Sequence, residues 1–468
     1  MVNKTYKALA FDFDGTLFDT AGLNFKAYRL AYFDLGVEIT EEMFARTKGL
    51  SVYQFNAAMG VECDVERLRD LKAKYYAEMS LYAKPNEYLI NIIRNATIPV
   101  ALVTTARMCN IIGLLEKYRL VGKFSVFVTQ EDVKNHKLHP EAYLKAVRRL
   151  GIKPEEVLAF EDSRPGFVAA REAGCDCVKI GEFRDDCIVD LTGGSESRTR
   201  LVYHEGQLVV RKDAEGVPAI TRLENQCEFL KANEHPALVP VLRDFKKSNC
   251  LYTYTMPYVF GSSFYEYQNK IGKFREVMKR ICDFDVRDTA GCYETHEDIR
   301  ERCFETYIRP GVEIYDSIVG EKSAIGEADE IPDFVNNFRV TRYHGDTTFE
   351  NIIMSRTDGI ILIDPVPDGN AVTGLVHDFA KLGQSLCGYE AIRDGVPFDY
   401  TVERQIFDDF AFKVLTGNEY KSLKFHVACL YFRRLKHQVR QNPALVRPYG
   451  DIALKLFTEF KEGKYAWA

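Results

Sequence analysis

The chain has 468 residues, more than one hydrophobic core usually supports, and its hydrophobic content of 46% is ordinary for globular folds. A net charge of -6, with acidic and basic residues interspersed, leaves neither a basic stripe for nucleic acid nor a polybasic membrane anchor, so small-molecule partners are expected. The 12 cysteines include no CxxC pair, and the spacing of Cys175 and Cys177 suits buried thiols on a strand better than a zinc knuckle or disulfide framework. A reducing cytoplasm is the expected compartment. Met1 to Lys7 lack the apolar core of a signal peptide, and no run approaches the roughly 18 apolar residues of a membrane span, so a soluble protein is expected.

In chain order, Ala8 to Phe13, Val100 to Val103, Val126 to Thr129 and Val157 to Phe160 read as buried parallel strands. Helical text lies between them, as in Pro140 to Leu150, with proline in its first turn and Gly151 just past its end. This alternation predicts a doubly wound α/β domain, interrupted from about Leu17 to Pro85 by amphipathic text that reads as an inserted helical cap. After Gly181 the texture changes. Arg200 to His204, Gln207 to Lys212, Val241 to Lys246 and Leu251 to Met256 predict antiparallel strands, and helical text dominates from Phe274 onward. The boundary is expected between Gly181 and Val189, giving domains 1–187 and 188–468, with no internal repeat.

Asp12 and Asp14 stand two apart at the end of an apolar strand, so both carboxylates are expected at the carboxyl edge of the sheet, where such folds bind ligands. One carboxylate can attack phosphorus while the other handles the leaving-group proton. By themselves they also fit a plain Asp-Gly turn. Thr104 ends the run Val100 to Val103, Lys137 opens Lys-Leu-His-Pro-Glu, and Glu161-Asp162-Ser163 closes Val157 to Phe160. A hydroxyl and an ammonium would hold the transferring phosphoryl, and a carboxylate would complete a Mg²⁺ site. Thr105 competes with Thr104 for the first role, and Lys134 lies near enough to Lys137 to confuse the second.

These motifs, DFDGTLFDT, LVTTA, HKLHPEAY and LAFEDSRPG in that order, resemble the haloacid dehalogenase superfamily, in particular its phosphatases and β-phosphoglucomutase-like branch with a helical cap. The resemblance covers about the first 185 residues. It implies Asp12 as nucleophile and Mg²⁺ ligand, Asp14 as general acid and base within the metal site, Thr104 and Lys137 as phosphate holders, and Asp162 with Glu161 at the metal. The cap phrase Arg46-Thr47-Lys48-Gly49-Leu50-Ser51 resembles the family's specificity loop, which would bring Arg46 and Lys48 to the leaving group.

Downstream, Gly193, Gly194 and Ser195 join two strand-like runs, where glycines would admit a phosphate close to the backbone or simply form a hairpin turn. Lys212 ends a strand, and the following helical text carries Glu224 and Glu228. A strand lysine on the ATP phosphates braced by a helix glutamate is a kinase arrangement, with Glu228 the candidate brace and Arg211 the competitor for Lys212 if the register slips by one. Tyr252 to Gly261, around Met256 and Tyr258, reads either as a hinge beside adenine or as ordinary core. His344-Gly345-Asp346, with Asn351 and then Asp364 after Ile360 to Ile363, carries the strongest signal: one aspartate for the acceptor hydroxyl, and an asparagine and a second aspartate for Mg²⁺ on ATP.

This spacing resembles the aminoglycoside phosphotransferase and choline kinase-like small-molecule kinases over about residues 188 to 468. It implies a bilobal α+β protein-kinase-like domain, Asp346 as catalytic base, Asn351 and Asp364 as metal ligands, Lys212 as phosphate clamp and His344 as a brace. His377 to Ser385 resembles the buried-aspartate segment of that group, with Asp378 steadying the catalytic loop. Asp364-Pro365-Val366 replaces the protein-kinase DFG, and no long activation segment follows, so protein phosphorylation is not expected. Glu327, Asp329, Glu330 and Asp333 would draw a cationic acceptor or merely solvate a loop. The expected whole is a Mg²⁺-dependent phosphohydrolase fused to an ATP-dependent small-molecule kinase of sugar or polyol metabolism. A phosphomutase at the first site, or a phosphatase regulated by a nucleotide-sensing second half, are the alternatives.

Overall fold

The computed structural model describes residues 4–45, 52–60, 63–191, 197–247, 250–285, 299–323, 325–339, 341–367 and 374–467. The chain divides into two compact units, Val2–Asp213 and Ala214–Ala468.

In the first unit, β1 (Ala8–Phe11), β2 (Val100–Val103), β3 (Val126–Val128), β4 (Val157–Glu161) and β5 (Asp176–Lys179) form one parallel sheet in the order β3-β2-β1-β4-β5. The expected doubly wound sheet is therefore present. Apolar runs fit it because both faces are covered: Ala8 and Ala10 pack with Val103, Tyr143 and Ala159 on one face, while Phe11 stacks on Phe160 at 4.6 Å on the other. Small alanines let the helices approach closely. The helix Glu141–Leu150 starts after Pro140 and stops at Gly151, whose φ of +69° closes it in the left-handed conformation.

The predicted cap is helical too. Its principal helices are Ala21–Phe33, Val52–Met59 and Val65–Ser80, and their shared core is aromatic, with Tyr28 stacked on Phe55 at 4.1 Å. A short antiparallel ladder between Phe18–Asp19 and Lys84–Pro85 ties together the two chain crossings into and out of the cap. Beyond β5, Val189–Asp190, Arg198–His204 and Gln207–Glu215 run antiparallel, and Thr5 bridges to Gln207. The compact units thus part inside the strand Gln207–Glu215, past the boundary anticipated between Gly181 and Val189.

The second unit is α/β with antiparallel strands. Arg243–Lys247 pairs with Leu251–Pro257, and Ile352–Ser355 lies between Gly261–Ser263 and Ile360–Leu362. Its long helix Gly417–Gln441 is buried along much of its length and packs against Leu375–Leu386, Arg309–Val319 and Val446–Lys461. A capping box at Thr416 and Glu419 starts it, and Glu419 also accepts from the Arg339 backbone N–H at 2.8 Å. Among the described residues no helix is long and apolar enough to cross a membrane.

Gly311 lies at a close approach of two of these helices: a Cβ there would stand 2.8 Å from Phe432 Cβ and 3.0 Å from its Cα. Backbone and Cβ atoms cannot swing aside. Gly311→Ala is expected to cost about 1–3 kcal/mol by overpacking, despite alanine's better helix propensity, and to lower the thermal unfolding midpoint. An unchanged or raised midpoint would show that the helices separate freely.

Candidate functional site

In the first unit β1 and β4 run side by side, and the Asp12 N–H donates to Phe160 O at 3.0 Å, which places Asp12 just past the strand end beside Glu161. Lys137, from the loop before the helix Glu141–Leu150, inserts its ammonium between them. It donates to Asp12 and, at 2.5 Å, to Glu161 Oε1. All three side chains are buried. Burial, and next the charge of Glu161, push the Asp12 carboxyl well above the usual carboxylate range, with the Lys137 ammonium opposing. Burial works against the Lys137 charge, yet Asp12 and Glu161 together raise its affinity for the proton above normal. Tyr143 completes the arrangement by donating to Glu161 Oε1 at 2.6 Å.

Asp14 faces the cap. Its Oδ1 accepts from Thr20 Oγ1 at 2.6 Å, Asn24 Nδ2 at 3.1 Å and the phenol of Tyr76 at 2.7 Å, the last from the cap helix Val65–Ser80. Carboxylate oxygens of Asp12, Glu161 and Asp162 lie within 4.8 Å of one another, a hard donor set suited to Mg²⁺, and Asp14 stands outside this cluster. Gly15 makes room for it. Its φ is +78° and a Cβ there would lie 2.2 Å from Asp162 Oδ2, so the fit of the acidic cradle depends on glycine. Asp12, Asp14, Lys137 and Asp162 line one cleft, into which Arg69 and Lys72 of the cap also reach.

Of the sequence alternatives, Lys134 is exposed while Lys137 is buried between the acids. Thr104 is buried, with its Oγ1 accepting the Ala106 N–H at 3.0 Å, and Thr105 lines the cleft. Tyr76, Tyr143 and Gly166 were not singled out in the sequence. A Cβ on Gly166 would lie 2.1 Å from the Glu161 carboxylate, so this glycine keeps Glu161 in reach of Lys137. Its place in the phrase EDSRPG was the only available signal. Arg46 and Lys48, together with Gly193, Gly194 and Ser195, lie outside the described residues.

In the second unit the loop His344 to Asn351 is gripped by the helix Leu375–Leu386. Asp378 accepts the N–H groups of His344 and Gly345, each at 2.7 Å, and its carbonyl accepts from Thr347 Oγ1 at 2.5 Å. Asp346 projects from this loop: its Oδ2 accepts from Asn351 Nδ2 at 2.9 Å, and its Oδ1 lies 3.1 Å from Lys381 Nζ. His344 is buried, and burial depresses its pKa to about 4, so it is neutral near pH 7. Asp364 follows the strand Ile360–Leu362 with a φ of +57°, and the Ile363 N–H donates to Asn351 O at 2.9 Å. Loop and strand end are therefore linked through backbone.

Lys212 is buried, Glu228 is exposed, and Glu224 pairs with Lys246 at 2.5 Å. Arg211 donates to Asp213 at 2.9 Å. Met256 is buried, and Tyr258 meets Phe260 edge-on at 4.9 Å, both compatible with ordinary packing. The acidic run is largely neutralised, because Glu327 pairs with Arg309, Glu330 with Lys461 and Asp333 with Arg300. Those three pairs favour the solvated-loop alternative over a cation-attracting patch.

Residues 9–180 match the haloacid dehalogenase-like hydrolase family. The phosphorylated carbohydrates phosphatase of Thermotoga maritima is 30% identical over 178 residues, spanning 36% of this chain and 82% of that protein. The fructose-1-phosphate phosphatase YqaB of Escherichia coli (strain K12) is 27% identical over 181 residues, 37% of this chain and 96% of that protein. The phosphoglycolate phosphatase of the same organism is 29% identical over 206 residues, 37% of this chain and 81% of that protein. The chain belongs to the haloacid dehalogenase-like hydrolase family. Its parallel sheet, with Asp12 and Glu161 at strand ends and Lys137 on the loop before the helix Glu141–Leu150, is the part that does so.

The grip on the second loop has an electrostatic cost that can be measured. Burial raises the Asp378 carboxyl to about 7 against the pull of its two N–H donors, and burial together with Asp378 raises the neighbouring Asp285 well above 3.8. Both groups bind protons more tightly folded than unfolded, so their contribution is fully present below the ordinary carboxylate range and is lost as pH rises above it, for Asp378 through about 7. Asp285→Asn should flatten the fall in thermal midpoint over that window relative to wild type. Parallel midpoint-versus-pH curves for the two proteins would contradict the assignment.

Proposed function

We propose that the chain carries two phosphoryl-transfer activities: a phosphatase acting through an aspartyl-phosphate in residues 1–187, and an ATP-dependent kinase for a small-molecule hydroxyl in residues 188–468. The observation that carries the first is the buried Lys137 clamped between Asp12 and Glu161 beside Asp162. Asp12 attacks the phosphorus of a phosphate monoester, and Asp14 protonates the departing oxygen, then deprotonates the water that cleaves the aspartyl-phosphate. Lys137 and Thr104 hold phosphoryl oxygens. Asp12 and Asp162, with Glu161 nearby, would hold Mg²⁺, which supplies positive charge to those oxygens. Phosphorylated carbohydrates or similar small phosphate esters are the proposed substrates, in line with the names of the relatives above.

The kinase reading rests on Asp346, Asn351 and Asp364 in a loop and strand end braced by Asp378. Asp346 takes the acceptor's proton, Asn351 and Asp364 would hold the Mg²⁺ that accompanies ATP, and Lys212 clamps the phosphates. Glu228, Gly193, Gly194, Ser195, Met256 and Tyr258 complete the proposed nucleotide site. A cytoplasmic location follows from these substrates.

Because the two sets share no residue, Asp12→Asn should abolish phosphate release from a sugar phosphate while sparing transfer from ATP, and Asp346→Asn should do the reverse. Losses of several orders of magnitude are expected. A folded single variant that silences both activities would refute the two-site reading. EDTA should stop both reactions and Mg²⁺ restore them; restoration by Zn²⁺ with Mg²⁺ inert would contradict the proposed ligands.

A further inference from the structure

Three residues on one face of the helix Leu375–Leu386 follow the course of the loop beneath it. Asp378 holds the His344 and Gly345 amides, Lys381 stands 3.1 Å from Asp346 Oδ1, and Ser385 accepts the Phe349 N–H at 3.0 Å. Their spacing of three and four residues is that of neighbours along one helix face. Ser385 is itself fixed by donating to Glu390 at 2.6 Å, so the helix is anchored at both ends of the loop. Two of these contacts fasten backbone, which any braced loop needs. The third grasps the side chain that the proposed kinase reaction uses.

We propose that Lys381 is a positioning residue for phosphoryl transfer. This rests on the kinase reading above. Asp346 is held at both oxygens by unlike partners, with the neutral amide of Asn351 2.9 Å from Oδ2 and the ammonium of Lys381 at Oδ1. The Lys381 side chain keeps 18% of its exposure and that of Asp346 27%, so the pair is partly shielded, and the acceptor still has access to the carboxylate. In the step served, the acceptor oxygen forms a bond to the γ-phosphorus and the bond from that phosphorus to the β–γ bridging oxygen breaks. The electron pair leaves on ADP, and the acceptor proton passes to Asp346. Lys381 directs the carboxylate toward that proton. An amide on one side alone would leave the carboxyl free to rotate about its own bond, whereas contacts on both oxygens remove that freedom.

The test uses the full chain carrying Asp12→Asn, so that the first site releases no phosphate, with MgATP as the probe and water as the acceptor. Release of the labelled γ-phosphate gives kcat and KM. Adding Lys381→Met should lower kcat on the order of a hundredfold, the scale of a misplaced general base, with KM for ATP unchanged. Lys381→Arg should recover part of the loss. In the Asp346→Asn background Lys381→Met should lower kcat no further, because a residue acting through Asp346 has nothing left to position. If Lys381→Met does not unfold with the parental midpoint, Lys381→Gln takes its place. A kcat within about threefold of the parent, or an equal loss with and without the Asp346 carboxylate, overturns the role of Lys381 and leaves the kinase reading standing. A parent that transfers no phosphoryl to water or to any alcohol tried overturns both.

Discussion

The Lys137 ammonium, buried between Asp12 and Glu161, constrains the first unit more than any other contact. Removing one cation from such a set leaves two carboxylates facing each other without water, a cost of several kcal/mol. Its three members come from distant stretches of chain: the end of β1, the loop before the helix Glu141–Leu150, and the end of β4. They meet only if the parallel sheet is in register. Correct sheet order and a charged, preorganised site are therefore one requirement, and the alanines that let the sheet pack tightly serve both. Tyr143 and Ser163 use the remaining acceptor capacity of Glu161, which is what makes burial of that carboxylate tolerable.

The sheet was legible because parallel strands covered on both faces must be continuously apolar, and the runs at Val100 to Val103 and Val157 to Phe160 are. Asp12, Lys137 and Asp162 were legible because they sit at fixed places on those strands and loops. Tyr76 was not: it reaches Asp14 across 62 residues, and nothing local distinguishes it from the neighbouring Tyr75, which bonds the exposed Asp34 instead. Gly166 was hidden for a different reason, since its necessity lies in the volume occupied by the Glu161 side chain. The acidic run Glu327, Glu330 and Asp333 left two readings open in the sequence, a field for a cation or a solvated loop, and the basic partner that each finds on another segment favours the second.

The unit boundary shows the same limit. Composition changes after Gly181, and a texture change is all that a single sequence offers. Compactness is decided by which surfaces are covered, and the strands from Val189 to Asp213 lie with the first unit, where Thr5 bridges Gln207 and the Tyr203 N–H donates to the Tyr88 hydroxyl at 3.3 Å. Neither partner is near in sequence.

The two proposed chemistries, of opposite sense on one chain, raise a constraint that neither site raises alone. A kinase and a phosphatase acting on the same ester would consume ATP without net change, so the proposed pair is coherent only if each recognises a different position or a different molecule. Discrimination of that kind has to come from the parts that meet the substrate away from the phosphoryl group, since both sites treat that group through general electrostatics. In the first unit those parts would belong to the cap, whose Arg69 and Lys72 line the same cleft as Asp12 and Asp14. Lys72 sits 4.4 Å from the Tyr76 ring centre and 5.3 Å from that of Tyr28; burial lowers its pKa, and the Asp14 carboxylate opposes that loss of charge. Tyr76 also bonds Asp14. In the proposed reaction, substrate recognition by the cap and proton transfer by Asp14 would therefore share a side chain, and a change of specificity at that helix would carry a change in the acid and base with it.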